Sequence, residues 1–209
     1  GSPDAYELWG RLCSKLRQCP LLTALDLRDI GLTDNTMAIL CNQLQGKTFG
    51  TDSGFELDVS KLGLVGKTSI SDAMSAGMCI SKLTIDLGEP VAPTTLLRYD
   101  TKLDLAGLLC AGDRRLLCAW LQNCKDITKS VILSDNPHLI VGKDAETEIF
   151  TTLRNMRQLT ELNLSDTGVD DFAVAQAVVG TGIDVLHIKI LFFSLYFFLL
   201  FLLPPFFAF

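Results

Sequence analysis

The sequence predicts an α/β solenoid, with parallel strands along a concave side and helices along a convex side. Three observations predict it. An apolar–any–apolar triplet recurs six times, and a seventh begins near the C-terminal end. A Ser/Asp/Gly-rich turn follows most of these triplets. Helical patterns with one apolar face lie between them.

The triplets place paired core positions at Leu25/Leu27, Leu57/Val59, Leu83/Ile85, Leu103/Leu105, Val131/Leu133, Leu162/Leu164 and Leu186/Ile188. Their first members are 32, 26, 20, 28, 31 and 24 residues apart. The alternation has the period of two that a half-buried strand requires. Asp26, Asp58, Asp104 and Asn163 stand between core pairs and need a solvated sheet face. A doubly wound sheet, the competing α/β reading, prefers continuous apolar strands buried on both faces.

Residues 4–18 open the chain as an amphipathic helix through Tyr6, Leu8, Trp9, Leu12 and Leu16, a cap or the helix of a partial repeat. Residues 34–44 align Met37, Leu40, Cys41 and Leu44 on one face. Residues 67–79 make a poorer helix, with Gly77 inside. Residues 113–124 align Leu116, Leu117, Trp120, Leu121 and Cys124. Helices at 144–156 and 170–179 follow the same rule. Asp34, Asp113, Asp144 and Asp170 are read as helix caps. The stretch 88–100 fits badly, because it holds Pro90 and Pro93 and is too short for a helix with turns. It is read as a degenerate third unit with an extended connection on the convex side.

The runs 22–34 (LTALDLRDIGLTD), 131–139 (VILSDNPHL) and 159–171 (LTELNLSDTGVDD) resemble the leucine-rich-repeat superfamily, in particular its ribonuclease-inhibitor-like class. The resemblance covers about residues 6–188. It implies a horseshoe fold and protein binding without catalysis. It also admits an enzyme regulator, either a nuclease inhibitor or a GTPase activator. The Asn usual after the strand is present only as Asn136; Ile30, Leu62, Leu108 and Thr167 replace it elsewhere.

Residues 1–189 form the expected repeat domain, of about six to seven units, and 190–209 a separate apolar tail. Eight of the 12 Phe lie between Phe192 and Phe209, which lifts the mean hydropathy to +0.33. The tail has no charge, and its length of 20 residues suits a membrane-spanning helix. Pro204 and Pro205 would break that helix after about 14 residues, or ~21 Å. Phe, Leu, Ser and Pro share pyrimidine-only codons, so a translated pyrimidine tract is a second reading. A cleaved lipid-anchor signal is a third, although no polar spacer precedes it. The three stay open, and a membrane-tethered receptor depends on the first. The chain opens on Gly1-Ser2-Pro3, with no basic stretch or apolar run of a secretory signal, and is read as a fragment of a cytoplasmic protein or one anchored through its tail.

The net charge of −6 argues against a nucleic-acid binder, which needs a basic face. The seven cysteines form no CxxC pair and lie near neither His138 nor His187, so small buried side chains in a reducing compartment explain them better than zinc. Gly66-Lys67-Thr68 superficially resembles a phosphate loop, but Lys61 stands where its first glycine belongs. No nucleophile is paired with a base. No enzyme, cofactor or metal is therefore expected.

The open strand face remains as the candidate site: Asp26, Arg28, Asp58, Asp104, Asp135, Asn163 and Asp166. Nine acids flank the core pairs there (Asp26, Asp29, Glu56, Asp58, Asp86, Asp104, Asp135, Glu161, Asp166) against five bases (Arg28, Lys61, Lys82, Lys102, Lys189). That excess points to a locally basic protein partner of unknown identity. A solvated face that needs charge for solubility explains the same residues.

Overall fold

A helix returns the chain from strand to strand over residues 24–87 and again over 102–163. The computed structural model describes residues 3–19, 21–45, 55–61, 66–89, 92–169, 174 and 182–187. Along the chain these form α1 (Pro3–Gln18), β1 (Ala24–Asp26), α2 (Asp34–Leu44), β2 (Phe55–Asp58), α3 (Lys67–Ser75), β3 (Ile80–Leu87), β4 (Ala92–Leu97), β5 (Lys102–Asp104), a 3-10 turn (Ala111–Asp113), α4 (Arg114–Cys124), β6 (Ser130–Ile132), α5 (Lys143–Arg154), β7 (Glu161–Asn163) and β8 (Val185–His187). The architecture is α/β, with two four-stranded sheets ordered β1-β2-β3-β4 and β5-β6-β7-β8.

The strands pair in the register that the core positions require. Leu25, Leu57 and Leu83 are neighbours in the first sheet, and Leu103, Val131, Leu162 and Leu186 in the second. Every inner member of these rows is buried; Leu25 and Leu186, on the outermost strands, are half-buried. A one-residue slip would turn each row to solvent, so burial itself fixes the register. Consecutive helices pack on one another, α1 on α2 through to α4 on α5. Their apolar faces and the strand rows form one continuous core that includes the fully buried Trp120.

The expectation of parallel strands throughout is corrected at one place. β3 and β4 pair antiparallel, as the two arms of a hairpin, with Leu83 opposite Leu96 and Ile85 opposite Thr94. The presumed extended connection therefore contains β4. Its Pro93 is tolerated because β4 is an edge strand of its sheet. The same hairpin overturns the placement of Asp86 on the solvated face, for it sits opposite Pro93 and is only 2% exposed.

The helix starts differ in detail from expectation. Thr33, not Asp34, caps α2. Its side chain accepts from Thr36 N, and the Thr36 hydroxyl accepts from Thr33 N at 2.8 Å. Gly142 precedes α5 in the cap position, which leaves Asp144 in the first turn. Gly66 opens α3 with φ +80°, and a Cβ there would meet Met37 Cγ at 2.7 Å. Glycine is needed at this step for both backbone and packing. Gly66, just before Lys67, is thus a turn residue entering a helix, while positions 62–65 of that run lie outside the described residues. Of the helix expected at 170–179, only Val174 falls within the described residues; it is helical and buried. The tail at 190–209 lies outside them.

Asn136 is fully buried and holds the turn after β6 to its neighbour. Its amide nitrogen donates to the carbonyls of Leu105, Leu133 and Ser134 at 3.0, 2.7 and 3.1 Å, and its oxygen accepts from Leu109 N at 2.8 Å. Asn136→Ala would orphan these buried main-chain groups. Urea unfolding should show a loss of about 1–3 kcal/mol.

Candidate functional site: the exposed strand face

The strand residues that alternate with the core rows lie in two further rows. One runs through Asp26, Asp58, Thr84 and Thr95, the other through Asp104, Ile132, Asn163 and His187. The polar residue at the strand end has a local task. Asp26 accepts from Arg28 N at 3.1 Å, Asp58 from Ser60 N at 3.0 Å, Asp104 from Ala106 N at 3.3 Å and Asn163 from Ser165 N at 3.0 Å. Each closes a turn over its own chain, two residues on. In β6 the position is Ile132, which has no such acceptor, and buried Asn136 organises that turn instead.

The next residue but two adopts a left-handed conformation in the same units. Asp29, Lys61, Gly107, Asp135 and Asp166 have φ between 55° and 65°. Glycine and, after it, Asp and Asn tolerate this conformation best, so backbone geometry explains Asp29, Asp135 and Asp166 without a ligand. Lys61 is the exception, and no side chain of its type favours that angle. The turns stack: Gly107 N donates to Ser134 O and Asp135 N to Ser165 O, both at 2.9 Å.

Charge is largely balanced within the first sheet. Arg28 reaches Asp26 at 2.5 Å and Asp58 at 3.5 Å. The Arg28 guanidinium, hydrogen-bonded to Asp26, holds that carboxyl down to about 2, and the Arg28 pKa rises in turn. Asp29 has Lys61 at 3.2 Å, and Glu56 has Lys82 at 3.6 Å. In the second sheet Asp104 has Lys102 at 3.6 Å, while Glu161 has His187 at 4.0 Å, an ion pair only when that imidazole is protonated.

The structure thus unites Asp26, Arg28 and Asp58 in one ion-paired group and sets Asp135 and Asp166 on adjoining turns. It keeps the first group and Asp104 with Asn163 on separate sheets. Asp135 is exposed, and Asp166 half-buried. Lys189 lies outside the described residues.

Sequence reasoning missed the most buried polar cluster. Asp113, read as a cap, is fully buried and pairs with Lys67, itself 6% exposed. Asp113 also accepts from Gly88 N at 2.8 Å and Cys110 N at 3.0 Å. Burial pushes its carboxyl up, but the bonds from Lys67, Cys110 and Gly88 outweigh it and hold it below the ordinary range. Lys67 and Asp113 are 46 positions apart, so no local pattern announces the pair.

The other chemistries find little footing among the described residues. Cys13, Cys41, Cys118 and Cys124 are buried, as expected, whereas Cys19 is exposed and Cys79 and Cys110 are intermediate. Burial pushes Cys41 up to about 12 and Cys13 and Cys118 to about 11, the reverse of what a nucleophilic thiolate needs. His138 is exposed in its turn. Among the described residues no group of three His, Cys, Asp or Glu could hold a metal ion, and no helix is long and apolar enough to cross a membrane. No protein-family description matches the chain, and comparison with curated proteins finds no significant match.

Proposed function

We propose that the chain is a leucine-rich-repeat solenoid of the ribonuclease-inhibitor-like class, and that it binds a protein on its strand face without catalysis. The observation that carries this reading is the strand register. Consecutive parallel strands bury one set of positions and display the other, with Asp26 beside Asp58 and Asp104 two strands from Asn163. Stacked units of this kind offer a long, side-chain-bearing surface on a shared core. The left-handed turn at one offset after the strands supports a repeated unit, as does the stacking of those turns.

The partner is a protein with a basic patch. Charge on both sheets is partly matched by Arg28, Lys61, Lys82 and Lys102, so specificity lies with shape as well as with the acids of the face. The test is capture of the partner by the full chain, followed by titration of the triple substitution Asp58→Asn, Asp104→Asn and Asp135→Asn. Asparagine keeps the oxygen that closes the turn at 58 and 104, tolerates the left-handed backbone at 135, and removes only the charge. Exposed ion pairs contribute about 0.2–1 kcal/mol each, so binding should weaken roughly tenfold and lose much of its salt dependence. Binding that ignores both salt and these substitutions would contradict the proposal.

A further inference from the structure

The five helices share a short pattern, a branched apolar residue with a buried neighbour after it and a second apolar residue four positions on. Leu12, Leu40, Ile70, Leu117 and Ile149 are its first members in α1 to α5. The last four are at most 3% exposed, whereas Leu12 is 49% exposed. Leu8, one turn earlier on the same side of α1, is 64% exposed. α1 thus turns outward the apolar side that the later helices bury. A unit that capped the array would carry polar side chains there.

The sheet is open at the same end. β1 is the first strand of its sheet, and Leu25 is half-buried where Leu57 and Leu83 in its row are buried. Glu56 N donates to Thr23 O and Leu27 N to Asp58 O, so by alternation the main-chain groups of Ala24 and Asp26 face away from β2.

Charge and symmetry indicate what covers this end. Glu7 lies in the first half of α1, and Arg11, Lys15 and Arg17 lie in the second. A parallel helix of the same pattern would set like charges level with one another. An antiparallel copy, crossing midway between Leu8 and Leu12, sets its Glu7 level with Arg11 and Lys15 of the first. The strand edge is self-complementary about the same kind of axis. A twofold axis through Leu25 sets Ala24 of one copy opposite Asp26 of the other, where each pair exchanges both N–H···O bonds. The two Leu25 side chains then form the close, non-bonded pair between them. Such an axis, normal to the sheet, keeps both core rows on one side and makes the two α1 helices antiparallel.

We infer that the chain forms a twofold dimer through this end, with β1 beside β1 of a second copy, α1 antiparallel on α1, and Leu8, Leu12 and Leu25 as the apolar centre. The dimer joins the two first sheets across the seam and sets their Asp26–Arg28 groups side by side. A partner of the strand face would then meet two copies of that face, though the dimer holds whatever the face binds.

The test is sedimentation equilibrium of the full chain. One helix side and one short strand edge make a small interface, so the dissociation constant should be on the order of 10 µM. Leu12→Glu should raise it about a hundredfold, since each dimer would bury two unpaired carboxylates, while circular dichroism stays native because the side chain is half exposed in one copy. Leu8→Glu should do the same and serves if the first variant does not fold. Lys15→Glu should weaken the dimer about threefold to tenfold, and adding Glu7→Lys should restore it. A chain that stays monomeric up to roughly 200 µM overturns the inference. Association that ignores both leucine substitutions overturns it as well, and assigns self-association to another surface such as the apolar tail. A Lys15→Glu dimer at least as tight as the unsubstituted one would overturn the antiparallel arrangement.

Discussion

Replacing Leu103 or Leu162 with aspartate is expected to abolish cooperative folding. Leu103 is 6% exposed and Leu162 1%, and they occupy one row of the second sheet on either side of Val131. A carboxylate there has no partner and sits among Val131, Leu105 and Leu164. An unpaired buried charge costs several kcal/mol, comparable with the whole stability of an ordinary domain. The sheet cannot escape by slipping one residue, because the slip would bury Asp104 and Glu161 in exchange. Thermal melting followed by circular dichroism checks this, with Thr160→Asp at an exposed site as the control. Near-native melting of both leucine variants would show that the core row is misplaced.

Removing the Asp113 side chain is the second large effect. Asp113→Ala strands the Lys67 ammonium in a site that is 6% exposed, and it also removes the acceptor of Gly88 N and Cys110 N. Breaking a buried pair from one side costs about 3–5 kcal/mol, whereas replacing both partners with apolar groups costs far less. Urea denaturation should therefore rank the chains unsubstituted, Lys67→Met with Asp113→Leu, then Asp113→Ala. Acid should act on the same cluster. The Asp113 carboxyl is depressed in the folded state, so its contribution is complete above the unfolded value near ~3.9 and lost as pH falls through the lower folded value. The gap between unsubstituted and doubly apolar chains should close below about pH 4. Equal acid sensitivity in the two would place the titrating group elsewhere.

The sequence carries the core rows openly because burial on one sheet face imposes a period of two. Leu57, Leu83, Leu103, Val131 and Leu162 follow it in both pattern and register. The hairpin was hidden for a physical reason. Pro90 and Pro93 look like strand breakers, and only knowledge that β4 lies on a sheet edge makes Pro93 acceptable. Asp86 was misplaced with it, since its burial depends on a strand the sequence did not reveal. The candidate face was legible as a set of exposed positions. Its chemistry was harder to read, because Asp26, Asp58, Asp104 and Asn163 earn their place by closing turns as much as by their charge. Lys67 and Asp113 meet only through the packing of α3 on α4.

Hydrogen exchange on the full chain, with and without its captured partner, tests the central claim most directly. A repeat module that binds on its strand face should show added protection in the turns around 58–61, 104–107 and 134–136 and at the strand edges. Exchange in α2 to α5 should change little. Protection confined to the helices would contradict the account, since the face built from Asp58, Asp104 and Asn163 would then be only a solvated side of the sheet.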